Sequence, residues 1–106
     1  MFFGTRDRLV RGRVVALEGE LLVIEYETPE ERFLAPSAET VVLRAGTAPI
    51  GTAAIDPAMS SPGGWHGKGL LLRLALRRTG GWTIGEELTL EWGGEARLTV
   101  KVSEPA

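Results

Sequence analysis

The dominant hydrophobic period along the chain is two, the signature of half-buried strands. "RLVRGRVVAL" (Arg8–Leu17) and "ELLVIEYE" (Glu20–Glu27) are rich in Val, Leu and Ile and flank Glu18-Gly19. Two such runs around a Glu-Gly pair predict a hairpin, with Gly19 supplying a positive φ. A loop of those two residues sets Arg13 opposite Ile24 and Arg11 opposite Tyr26, an exposed guanidinium–tyrosine pair. "TVVLRA" (Thr40–Ala45) predicts a further short strand. "LLLRLALRR" (Leu70–Arg78) is almost continuously apolar, as a strand buried on both faces would be, and Gly69 and Gly80-Gly81 leave a competing helix short.

The last two runs also alternate. Leu88, Leu90 and Trp92 share one face of "TIGEELTLEW"; Ala96, Leu98, Val100 and Val102 share one face of "EARLTVKV". A plain two-residue loop at Gly93-Gly94 would oppose Leu90 to Arg97 and send the two apolar rows to opposite sides. A slip of one residue inverts every side chain. The pattern therefore predicts a three-residue loop, Gly93–Glu95, or an equivalent bulge, with Leu90 opposite Leu98 and Leu88 opposite Val100.

Between these runs the pattern lapses. "ETPEERFLAPSAET" (Glu27–Thr40) carries Pro29 and Pro36 and has room for one helical turn after Thr28. "GTAPIGTAAIDPAMSSPGGWHGKG" (Gly46–Gly69) is rich in Gly, Ala, Pro and Ser. Structureless loops beyond about 12–15 residues are uncommon in compact domains, so "IGTAAI" is expected to be a strand. Asp56–Gly69 is left as the most credible functional loop. The sum is an all-β fold, a small antiparallel six- or seven-stranded barrel or compact sandwich, in a single domain over residues 1–106.

Composition changes this picture mainly by exclusion. Without cysteine there are no disulfides, thiolate metal sites or Cys nucleophiles. A net charge of −2 gives no basis for general nucleic-acid binding, which favours a basic excess. "MFFGTRDRLVRG" lacks a signal peptide's apolar run, and no segment approaches the roughly 20 apolar residues that span a bilayer. A cytoplasmic protein without a membrane partner is the expectation. The cations are uneven in kind: ten arginines against Lys68 and Lys101. Arginine favours planar contacts with carboxylates and phosphates, although a biased composition produces the same count.

Catalytic chemistry finds little purchase. "SSPGGWHGKG" (Ser60–Gly69) holds the single histidine beside Lys68, but a P-loop there would need Gly at position 62 and Ser or Thr at 69. Pro62 and Gly69 stand instead. Glycine amides with Lys68 could still cradle an anion. His66 has no second His or Cys for a metal, and Ser60 and Ser61 lack a nucleophile elbow. Glu30-Glu31 and Glu86-Glu87 are neighbours whose side chains diverge on a strand and read as solvated turn charges. Trp65, Trp82 and Trp92 each adjoin a Gly-Gly pair and could stack a base or plug a barrel end. Arg6, Arg8, Arg11 and Arg13 put four guanidiniums within eight residues, enough to clamp a dianion; an exposed face balanced by Asp7, Glu25 and Glu27 is the plainer alternative.

The organisation resembles a PilZ domain. "RDRLVRGR" stands where that family has its arginine-rich segment, "MSSPGG" offers Ser61-x-x-Gly64 of its D/N-x-S-x-x-G motif, and "GLLLRLAL" and "WTIGEELTLEW" resemble the strands that follow. The arginines are not spaced four apart as in the family's R-x-x-x-R, and Met59 stands at the D/N position. The resemblance implies a non-catalytic binding or regulatory module. It would take cyclic di-GMP through Arg8, Arg11, Arg13, Ser61 and Gly64, or act through a protein partner, with no cofactor. The competing expectation is an assembly protein with an OB-like or TOBE-like barrel.

Overall fold

The computed structural model describes residues 9–28, 34–36, 39–61, 64–65 and 69–105. Its main sheet is built from β1 (Val10–Arg11), β2 (Arg13–Glu18), β3 (Leu21–Glu27), β5 (Thr40–Ala45), β6 (Ala48–Ile55), β8 (Leu71–Arg77), β9 (Glu87–Trp92) and β10 (Glu95–Lys101). The short β4 (Leu34–Ala35) and β7 (Gly64–Trp65) pair separately. No helix occurs among the described residues. The helical turn expected after Thr28 falls outside them.

The strand order is β1-β10-β9-β5-β6-β8-β3-β2. Only Gly12 separates β1 from β2, so the two ends of the sheet belong to one kinked strand and the sheet closes on itself. Counting β1 and β2 as one, the eight elements make a seven-stranded barrel. Closure uses the one parallel pairing of the main sheet, Val10 with Leu98 and Arg11 with Thr99. Gly12 N–H donates to the Thr99 carbonyl at 2.7 Å at the kink itself.

Inward-facing rows fill the barrel: Val14 from β2, Leu22, Ile24 and Tyr26 from β3, and Val41 and Leu43 from β5. Leu72, Leu74 and Leu76 come from β8, Leu88, Leu90 and Trp92 from β9, and Leu98 and Val100 from β10. Burial of apolar area contributes about 25 cal/mol per Å², and this single cluster is where it is concentrated. Burial pushes the Tyr26 hydroxyl well above the usual phenol range, so it stays neutral at any physiological pH.

The final hairpin takes the bulged alternative. Its loop is Gly93-Gly94, with φ of 65° and 80°, values suited to a tight primed turn. Trp92 faces Glu95 and Glu91 faces Ala96; Arg97 then bulges, restoring Leu90 opposite Leu98 and Leu88 opposite Val100. Arg97 is held by its Nε–H to the Trp92 carbonyl at 2.9 Å. Deleting Arg97 should therefore leave the Leu90–Leu98 pairing intact and cost only its local bonds, about 1–2 kcal/mol. Cross-strand NOEs between positions 90 and 98 check this; NOEs from Leu90 to Thr99 instead would show that the register depends on the bulge.

The first hairpin differs from expectation. Its turn is Gly19-Glu20, and a bulge at Val15 follows, so Arg13 lies opposite Glu25 and not Ile24. Arg11 lies beside Thr99 on β10, and the ring of Tyr26 is buried against Trp92 at 6.5 Å. The reason is long-range. The Glu20 carbonyl accepts from Arg78 N–H at 3.1 Å and from Trp82 Nε1–H at 2.8 Å, which fixes Glu20 in the turn.

Strand β8 also departs from the pattern of a strand buried on both faces. Leu72, Leu74 and Leu76 point inward, whereas Leu71, Arg73 and Arg77 are exposed. Of the outward residues of β8, only Ala75 is buried.

Candidate ligand-binding face

The outer surface of β2, β3 and β8 carries an arginine–carboxylate ladder. Strand alternation puts Arg13, Glu25 and Arg73 outside because Val14, Ile24 and Leu74 are inside, and register aligns the three across adjacent strands. The Glu25 carboxylate accepts from Arg13 Nη2 on Oε1 at 2.9 Å and from Arg73 Nη2 on Oε2 at 2.6 Å. Glu25 is largely covered, with 14% of its side chain exposed, while Arg13 keeps 73% and Arg73 54%. Two guanidiniums thus converge on one carboxylate and present their remaining donors to solvent. Farther along β8, Arg77 reaches Asp56 Oδ2 at 3.3 Å.

Exposed ion pairs of this kind contribute about 0–1 kcal/mol each, so folding alone gives little reason for the convergence. The hydrogen bonds from Arg73 and then Arg13 hold the Glu25 carboxyl below its ordinary value of 4.5. A lowered folded-state value means stability present above the unfolded value and lost as pH falls through the folded one. The stability difference between wild type and Glu25→Gln should therefore be flat above about pH 4.5 and shrink below it, in urea midpoints measured across pH. A difference that does not change over that window would show that Glu25 makes no linked contribution.

The segment after β6 is stitched to the outer edge of β8. Asp56 N–H donates to the Ala75 carbonyl at 2.9 Å and Ser61 N–H to the Arg73 carbonyl at 2.8 Å. Between these points serine hydroxyls replace carbonyls as acceptors: Ser60 Oγ takes the Ala75 N–H and Ser61 Oγ the Arg73 N–H, each at 2.9 Å. Asp56 Oδ1 closes the turn on Ala58 N–H at 3.0 Å. Against the expectation of one loop over Asp56–Gly69, its first six residues are anchored backbone.

Arg73 is thus the residue that joins two expected ones. Its backbone holds Ser61 and its side chain meets Arg13 at Glu25. Gly64 lies on β7 opposite Ala35. Arg11 points from β1 into a separate cleft over β9 and β10. Arg8 lies outside the described residues, as do Arg6, Asp7, Glu30, Glu31, His66 and Lys68. The roles of Arg73 and Arg77 were missed, although their signal was present: both sit at outward positions of an otherwise apolar strand.

The aromatic and acidic candidates resolve differently. Trp92 is 6% exposed within the core, which removes it as a base-stacking platform. Trp82 packs against the core edge with the Arg78 guanidinium 4.6 Å from its ring centroid. Glu86 is no solvated turn charge: it accepts both bonds of Arg78 Nη2, at 3.2 and 3.0 Å, and the Thr83 N–H at 3.2 Å. Among the described residues no three His, Cys, Asp or Glu side chains gather as a metal site requires, and no helix is long and apolar enough to cross a membrane. No protein-family model, curated protein or solved structure matches the chain.

Proposed function

We propose that this barrel is a non-catalytic binding or regulatory module of the cytoplasm, resembling a PilZ domain, whose ligand is a phosphate-bearing cyclic dinucleotide of the cyclic di-GMP kind. The observation that carries the reading is the pair of exposed guanidiniums, Arg13 and Arg73, held side by side by Glu25. Charge-assisted, forked donors suit phosphate oxygens, and the Ser61 hydroxyl bonds the backbone of Arg73 on the same strand, which supports the reading. Arg77 extends the face along β8.

Thermal shift and calorimetric titration with cyclic di-GMP test the proposal. Ligand at 100 times its dissociation constant should add about 2.7 kcal/mol to stability, a shift of several degrees. Arg13→Ala and Arg73→Ala should each weaken binding about tenfold or more, since a hydrogen bond to a charged group contributes about 1.5–3 kcal/mol. No shift at millimolar ligand would sink the proposal.

A second reading rests on Leu70 and Leu71, 47% and 63% exposed at the start of β8. An assembly protein with an OB-like or TOBE-like barrel would use such residues to hold a protein partner. A melting temperature that rises with protein concentration, and is unmoved by nucleotide, favours it.

A further inference from the structure

A second site, independent of the arginine ladder, lies on the outer surface of β1, β10 and β9. A cleft of about 190 Å³ opens there, lined by Arg11, Gly46, Glu87, Thr89 and Thr99, with Leu88 and Val100 behind them. One water needs only about 10–15 Å³ of such space, so the cleft admits a small organic molecule. Register explains its composition. Thr99 stands between Arg11 on β1 and Thr89 on β9, and Glu87 is two residues from Thr89 on the same outward face. The β5–β6 turn brings Gly46 over the end of β9.

The charges decide what fits. Of the arginines in the described strands, Arg13, Arg44, Arg73, Arg77 and Arg97 are each engaged by a carboxylate. Arg11 has no such bond among the described residues, and neither has Glu87. The two opposite charges line one cleft without closing on each other, and two threonines lie beside them. A lone anion would meet Glu87 and a lone cation would meet Arg11. A ligand bearing both charges satisfies both walls.

We infer that this cleft binds a small zwitterion, a free α-amino acid, with its carboxylate on the Arg11 guanidinium and its ammonium on Glu87. The planar fork of Arg11 matches a carboxylate in two parallel bonds. The Thr89 hydroxyl can donate or accept, and the Thr99 hydroxyl, which donates to the Val10 carbonyl at 3.5 Å, offers its lone pairs to the ammonium. The modest volume selects short side chains, such as those of glycine, alanine and serine, over aromatic ones.

Titration of the ¹⁵N-labelled protein with alanine, acetate and methylammonium provides the test. Alanine should move the amides of Gly46, Thr89 and Thr99 saturably, and acetate and methylammonium should bind at least about tenfold more weakly, each having lost one charge-assisted partner. Arg11→Gln and Glu87→Gln, both at exposed positions, should each weaken alanine about tenfold or more while leaving the melting temperature unchanged. Equal response to acetate and alanine would overturn the assignment in favour of a plain anion site. Unmoved amides, or alanine binding that survives both substitutions, would overturn it outright. None of these readouts involves cyclic di-GMP or the Arg13–Arg73 pair, so the two sites stand or fall separately.

Discussion

Leu90→Ala should lower the stability of the barrel by about 2–5 kcal/mol, with a fall in Tm of upwards of about 10 °C. Leu90 has no solvent exposure, and its strand is hydrogen-bonded on both sides. It pairs with Leu98 across β10 and with Leu43 across β5, and both partners are equally buried. The truncation thus opens a void in the middle of a three-leucine row, where closed strands on either side resist collapse into it. Domains of this size are stable by about 5–15 kcal/mol, so the variant should remain folded at low temperature and lose much of its margin. Leu71→Ala is the control. Leu71 is 63% exposed on the same barrel, and its truncation should stay within about 0.5 kcal/mol. Chemical denaturation of the two variants separates burial from mere hydrophobicity; equal losses would contradict the placement of these leucines.

The last hairpin shows why the strands were legible. Its two apolar rows could reach one face only through an odd-length loop or a bulge, and the chain bulges at Arg97. Thr40–Ala45 coincides with β5, and the expected "IGTAAI" strand is the greater part of β6. The first hairpin was less legible because its local pattern does not mark a turn uniquely. Val14 to Leu17 is a continuous apolar run, which tolerates a bulge at Val15 without exposing anything charged. The turn is instead settled by Trp82 and Arg78, about 60 residues away, bonding to the Glu20 carbonyl. The nearly continuous apolar run in β8 overstates its burial: Leu71 is exposed on the outer face, and of the outward residues only Ala75 is buried.

The candidate site divides in the same way. An excess of arginine with few lysines marked guanidinium chemistry, and Arg13 and Ser61 belong to the face that carries it. The residue that unites them, Arg73, was hidden inside a hydrophobic run. Its partner Glu25 appeared in the sequence only as one of several balancing acids, because the register of one hairpin and of one long-range strand pairing decides which carboxylate two arginines share.

Gly12→Ala should destabilise the barrel by about 1–3 kcal/mol, the usual cost of overpacking a filled interior. A Cβ at position 12 would lie 2.5 Å from the Ile24 Cγ2 methyl, with both δ-methyls of Leu98 at 3.5–3.6 Å. Relief by movement of the strand is opposed by the Gly12 N–H bond to Thr99, which ties the kink to β10 where the barrel closes. The cause is therefore one methyl against another, and a double-mutant cycle isolates it. Ile24→Ala removes Cγ2 and by itself should cost about 2–5 kcal/mol as a buried truncation. In that background the added Cβ at position 12 keeps only ordinary van der Waals contact with Leu98, so Gly12→Ala should cost nearly nothing or recover part of the loss. The two changes should thus be coupled favourably by about 1–3 kcal/mol in denaturant unfolding. Additive penalties would show that the cost of a side chain at position 12 does not arise from its contact with Ile24.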